Sequence, residues 1–334
     1  MKATSPSSLQ RRRRATVVAL LLSAALGLSA CGSGADPDPD ADGGAKRNQG
    51  THPVKTAKGV VSVPNEPERV VVLDTAELDS AVTLGVKPVG ATKADVGKSF
   101  LGYLPDEKVE GIENVGTIGS PSLEKIAALK PDLILTSAVR DDKNYSQLKA
   151  IAPTVMTEST GYPWKRNFRT HADALGKKDE AEKVLADYER HAGEVTAALG
   201  GAAEAKDIET NVVRFVEGAD TRVYGEKSFI ATVLKDVGLG RPKVAREAKD
   251  YGGLATDISP ERIDEADADA VFYTSYGSPG KSGEEKAVKS PLWKNMRAVK
   301  DGQVFHVEDE LWIQGIGYTA ANRVLDEIEK DLAG

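Results

Sequence analysis

Cysteine is almost absent: Cys31 is the only one in 334 residues, which excludes a disulfide framework within the chain. Histidine is nearly as scarce. His52, His171, His191 and His306 lie far apart, whereas a bare divalent metal wants several ligands converging on it. No metal site is therefore expected. No apolar run reaches the roughly 20 residues that a spanning helix needs; the stretch Ala15 to Leu28 stops short. Neither a P-loop nor a G-x-S-x-G elbow occurs. Gly315-Ile316-Gly317-Tyr318-Thr319-Ala320 fits G-x-G-x-x-A, but it lies near the C-terminus with no βαβ unit after it. No dinucleotide or other cofactor is expected. Positive charge is not in excess either, the formal net charge being −7, which argues against a nucleic-acid partner.

What is present begins with an export signal. Lys2 and Arg11 to Arg14 form a basic region, Ala15 to Leu28 an apolar one, and Leu28-Ser29-Ala30-Cys31 a small-residue end. That ending resembles the bacterial lipobox, which makes Cys31 the expected lipidation site and the first mature residue. Acyl chains contribute about 0.8 kcal/mol per buried CH₂ and would hold the protein at the extracytoplasmic face of a cell membrane. General secretion and twin-arginine export both remain open. Without the five leader cations the charge is −12. Residues 32–58, rich in Asp, Pro, Gly and Ala, are expected to be a disordered tether.

The remaining length, with 40% hydrophobic and 28% charged residues, suits two soluble domains. The stretch Ser120 to Thr136 predicts a short helix stopped by Lys130-Pro131. Leu133-Ile134-Leu135 then predicts a strand buried on both faces. The pattern returns 137 positions later: Glu124-Lys125-Ile126 matches Glu261-Arg262-Ile263, and a second buried-strand run follows about ten residues on. This repeat predicts two lobes built alike. Strands alternate with helices in both, so an α/β fold with mainly parallel sheets is expected. Between them, Lys177 to Leu199 carries apolar residues at three- and four-residue steps; it predicts a helix of roughly 35 Å. The expected layout is an N-terminal lobe over 59–176, a linking helix over 177–201 and a C-terminal lobe over 202–334.

The ordered series of segments resembles a known family. Leu73 to Gly90, SLEKIAALKPDLIL, Ile151-Ala152-Pro153-Thr154-Val155, Arg214-Phe215, Tyr224-Gly225 with Ser228-Phe229, and Trp312 before Gly315 and Gly317 are similar to periplasmic binding proteins. The similarity is to those that deliver iron–siderophores, haem or cobalamin to ABC importers. It implies two Rossmann-like lobes joined by one long helix (the class III fold) that close only slightly. A ligand would sit in the cleft between them, among loops at the carboxyl ends of the strands. It also implies that Glu124 and Glu261 dock onto a dimeric permease; both could in addition complement helix dipoles, worth about 0.3–1 kcal/mol each.

On this resemblance the expected activity is capture without chemistry, by a monomer, of a ferric siderophore, with a hydroxamate preferred. Haem or cobalamin binding is the nearest alternative, and a secreted bilobed enzyme a more distant one. Arg214 is the first candidate contact, because a charge in mid-strand is costly unless it meets a ligand or partner. Arg140 and Arg166 follow predicted strands. Arg222 and Tyr224 alternate with Val223 and so share a face. Trp164, on an expected loop, and Trp312 and Tyr276 are candidate aromatic walls. Trp293 is expected to pack within its own lobe.

Overall fold

Two buried-strand signals become two separate sheets in the computed structural model, which describes residues 50–94 and 100–334. The signal over 1–31, Cys31, and 32–49 of the expected tether lie outside the described residues. Residues 51–58 do not belong to a tether: Thr51–Thr56 (β1) and Gly59–Pro64 (β2) form an antiparallel hairpin. Its alternating residues Val54 and Val63 are buried. His52, inside β1, bonds Asn65 and the carbonyl of Asp173. A two-valine alternation beside an Asp- and Pro-rich stretch was too faint a signal to separate from it.

The first sheet has six strands: β3 (Val70–Val72), β4 (Gly90–Lys93), β5 (Glu113–Thr117), β6 (Ser120–Pro121), β7 (Leu133–Ser137) and β8 (Thr154–Thr157). Their order is β6-β5-β4-β3-β7-β8, parallel except at β5–β6. β7 is buried along its whole length, as its unbroken apolar run requires. The second sheet comprises β9 (Thr210–Val216), β10 (Thr221–Tyr224), β11 (Ala255–Ile258), β12 (Ala270–Tyr276) and β13 (Val304–His306). Its order is β11-β10-β9-β12-β13, with β9, β12 and β13 parallel and the β10 and β11 edge antiparallel.

The repeat has a structural counterpart. Glu124 and Glu261 are exposed in the first turns of the Leu123–Ala128 helix and of the Pro260–Ala266 3₁₀ segment, while Ile126 and Ile263 are fully buried two residues on. The second copy is a tighter 3₁₀ segment, interrupted by non-helical backbone angles at Arg262.

The Lys178–Ala198 helix joins the two sheets and, at 1.5 Å per residue, spans about 30 Å. The halves also share an apolar core, centred on Trp164, Phe168, Tyr188, Phe229 and Tyr318 with ring centroids 4.6–5.8 Å apart. A polar clasp lies beside it. Buried Asp79, from the Thr75–Thr83 helix, accepts the backbone N–H groups of Thr319 and Ala320 at 3.1 and 3.0 Å. It thereby caps the Tyr318–Leu332 helix from a site 240 residues away. A Cβ at position 317 would overlap the Asp79 carboxylate, so glycine is required there. The C-terminal helix is thus a second tie between the halves.

Candidate functional site

A cavity of about 900 Å³ opens between the sheets. Its first wall is built after β7 and β8, by Val139 and Arg140 of a short helix, the loop 159–163 and Arg166. Its second wall is built by Arg214 on β9, Arg222 and Tyr224 on β10, Lys227 to Ile230, the loop 251–254, and Trp312, Ile313 and Ile316. The first wall stands at strand carboxyl ends, where ligands meet open α/β sheets.

Five cations line this space, Arg140, Arg166, Arg214, Arg222 and Lys227, and among the described residues no carboxylate does. Four of the five have a carboxylate partner. Arg214 Nε and Nη2 donate to the two Asp309 oxygens at 2.6 Å each, the forked geometry that fixes a guanidinium plane. Its carbon lies 4.5 Å from the ring centroid of Tyr276, and its Nη1 faces the Tyr224 hydroxyl at 3.4 Å. Arg140 Nε donates to Asp74 at 2.8 Å, whose other oxygen accepts the Thr75 N–H at the start of a helix. Arg222 lies 3.5 Å from Asp257 and 4.5 Å from the Tyr251 ring centroid. Arg166 meets Glu158 at 3.2 Å. The Asp309, Asp74 and Glu158 carboxylates orient their guanidiniums by hydrogen bonds and leave other N–H groups free to face a ligand.

On β10, Arg222 and Tyr224 line the cavity while Val223 is buried on the other face. Burial raises the Tyr224 phenol above its ordinary pKa, so it serves as a neutral donor and acceptor. Tyr276 lines an adjoining space of about 280 Å³ that shares Arg140, Arg214, Ile313 and Ile316 with the larger one.

Trp312 reaches the cavity only by an edge; it is fully buried, stacks on Phe272 at 4.4 Å and donates to Glu327. Trp164 is not a cleft wall. It begins a helix, Trp164–Ala174, is 2% exposed, and donates from Nε1 to Thr232 at 2.7 Å. The loop reading failed because Pro163 and a run of charges hid the step from Trp164 to Phe168 to Ala172 that buries one helical face. Trp293 packs on Phe215 and Tyr273, as expected. Glu124 and Glu261 make no ion pair among the described residues.

Sequence reasoning missed Lys227, Tyr162 and Tyr251. Tyr162 and Tyr251 are 53% and 55% exposed at the cavity, and the glycines beside each were the available signal. It also missed a buried polar cluster under Arg140. There Glu77 and His171 approach to 3.6 Å, and among the described residues the Glu77 oxygens and His171 Nε2 have no hydrogen-bond partner. Burial, reinforced by Asp74, raises the Glu77 carboxyl to about 8, and burial lowers His171 to about 3. Both are neutral near pH 7.

The sequence profile of the family described as "Periplasmic binding protein" matches residues 70–311. The "Probable siderophore-binding lipoprotein YfiY" of Bacillus subtilis (strain 168) is 36% identical over 327 residues, covering 95% of this chain and 98% of that one. The "Fe(3+)-citrate-binding protein YfmC" of the same organism is 31% identical over 323 residues, covering 93% and 96%. The crystal structure of Staphylococcus aureus SirA complexed with staphyloferrin B superposes with a TM-score of 0.76 at 32% identity, covering 84% of this chain and 98% of that one.

Proposed function

This chain belongs to the periplasmic binding protein family, and from that premise we propose that it captures a ferric siderophore outside the cell for an ABC importer. The observation that carries this reading is the cleft of about 900 Å³ lined by five cations and no carboxylate among the described residues. It is far larger than a bare ion needs and lies within the usual size of small-molecule sites. Its arginines offer forked donors to the oxygens around Fe³⁺, while Tyr224, Tyr251 and Tyr162 offer aromatic surface. So dense a cationic lining favours a complex of net negative charge, with carboxylate ligands. The relatives named for ferric citrate and solved with staphyloferrin B support iron capture.

A hydroxamate complex, the choice favoured by sequence alone, remains the second reading. Four of the five cations already have a carboxylate partner, which lowers the net charge that a ligand meets.

Capture proceeds without chemistry. The ligand displaces water from the tyrosine surfaces, the arginines bond its oxygens, and the loaded protein docks through Glu124 and Glu261 on a permease dimer. Several acyl chains on Cys31 would hold a monomer at the membrane. Titration followed by tryptophan fluorescence tests this, since Trp312 borders the cleft. Quenching by ferric citrate or a ferrioxamine, but not by haem or cobalamin, is expected. Quenching by haem alone, or turnover of any ligand, contradicts it.

A further inference from the structure

The loop that closes the second wall contains a conformational oddity. Tyr251 has φ +52°, a left-handed conformation that a bulky side chain rarely adopts, and Gly252 and Gly253 follow at φ +74° and +97°. The turn is fixed by its own backbone: Gly253 N–H and Ala255 N–H donate to the Asp250 carbonyl, and the Asp250 carboxylate accepts the Asp257 N–H at 2.9 Å. Glycine or asparagine would occupy such a position at lower cost. Core packing does not explain a tyrosine there, because its side chain stays largely in solvent.

What the tyrosine does touch is the cleft. Its hydroxyl donates to Asp257 Oδ2 at 2.6 Å and accepts Arg222 Nη2 at 3.1 Å, while its ring sits 4.5 Å from the guanidinium carbon. Arg222 Nε and Asp257 Oδ1 have no hydrogen-bond partner among the described residues, so the direct Arg222–Asp257 contact does not hold the arginine by itself. Without Tyr251 the guanidinium would keep only that 3.5 Å ion pair.

The geometry points to Tyr251 as a ligand-positioning residue: it aims Arg222 into the cleft and lays its own ring against the captured complex. This rests on the capture reading given above. A strained residue kept where relaxed ones are available is a mark of function when the surroundings enforce it. The cation–aromatic pair holds best an arginine that must meet an anionic oxygen, since a guanidinium can stack and donate in its plane at once.

The test compares Tyr251→Asn, Tyr251→Gly and Tyr251→Phe in the full chain, measuring melting temperature and affinity for ferric citrate and for ferrioxamine B. Tyr251→Asn and Tyr251→Gly should keep the melting temperature within about 2 °C of the parent or raise it. Both should weaken capture about tenfold, mainly through faster release, and Tyr251→Phe, which keeps the ring, should lose only about threefold. A fall of more than about 5 °C in both relaxed variants would make the tyrosine a structural residue and overturn the inference. Unchanged affinity with unchanged stability would overturn it as well. If the parent binds neither probe, the capture reading fails, and the inference about Tyr251, which requires it, falls with it.

Discussion

Replacing Glu77 by glutamine should shift stability progressively in the variant's favour as pH rises. Glu77 is fully buried, its oxygens have no side-chain hydrogen-bond partner among the described residues, and its neighbours are the Asp74 and Asp141 carboxylates, Arg140 and His171. Burial and Asp74 raise its pKa from 4.5 to about 8. The sign follows from linkage. A carboxyl with a raised folded-state pKa contributes full stability below about pH 4.5, where it is neutral in both states. That stability is lost as pH rises toward about 8, because only the unfolded chain releases the proton easily. At 1.36 kcal/mol per unit, the loss between pH 5 and pH 8 is roughly 3 kcal/mol. Glutamine cannot ionise, so the variant escapes this slope. An unpartnered amide adds a constant of about 1–3 kcal/mol that does not vary with pH. His171, lowered to about 3 by burial, loses its stability on the acid side in both proteins and largely cancels. Urea unfolding at pH 5, 6, 7 and 8 reads the difference. The gap between variant and parent should move by roughly 3 kcal/mol in the variant's favour over that range. A gap that stays constant refutes the picture of a neutral buried Glu77.

Further predictions concern the site and its supports. Arg214→Lys keeps the charge but loses the fork to Asp309 and the stack on Tyr276; capture should weaken at least tenfold with the circular-dichroism spectrum retained, and unchanged affinity would remove Arg214 from the site. Arg214→Ala should also destabilise the fold by about 3–5 kcal/mol, measured by urea unfolding, because Asp309 is left buried and unpaired. Asp79→Ala strips the cap from the C-terminal helix and removes the acceptor of the Tyr103 hydroxyl, which donates to Asp79 Oδ2 at 2.9 Å. A loss of about 2–4 kcal/mol is expected, and thermal unfolding unaltered by the change would show that the clasp carries no load. Glu124→Lys combined with Glu261→Lys should leave ligand affinity intact and abolish uptake by cells; normal uptake would remove the docking proposal.

Much of the fold could be read from residues whose constraints are local. Leu133-Ile134-Leu135 had no polar partner to alternate with, and β7 is buried throughout. Gly238 after an apolar helix is left-handed at φ +90°, as a helix-ending glycine should be. The alternation of Arg222, Val223 and Tyr224 placed two residues on the cleft. What stayed hidden depends on distant partners. The carboxylates that fix Arg140 and Arg214 are 66 and 95 residues away in sequence, so no spacing rule could pair them. Trp164 looked like a loop aromatic because the residues that bury it, Tyr188, Phe229 and Tyr318, come from three other helices. The hairpin at 51–64 was overlooked for the opposite reason: its partner strand was adjacent, but only Val54 and Val63 marked the inner face.

Isothermal titration of the purified protein with ferric citrate, run beside iron-free citrate and repeated at raised salt, addresses the central claim most directly. One ferric complex per chain, bound with sub-micromolar affinity that falls as salt screens the arginines, with iron-free citrate far weaker, is the predicted result. Heat from iron-free citrate equal to that from the ferric complex, or no binding by any ferric complex, would contradict it.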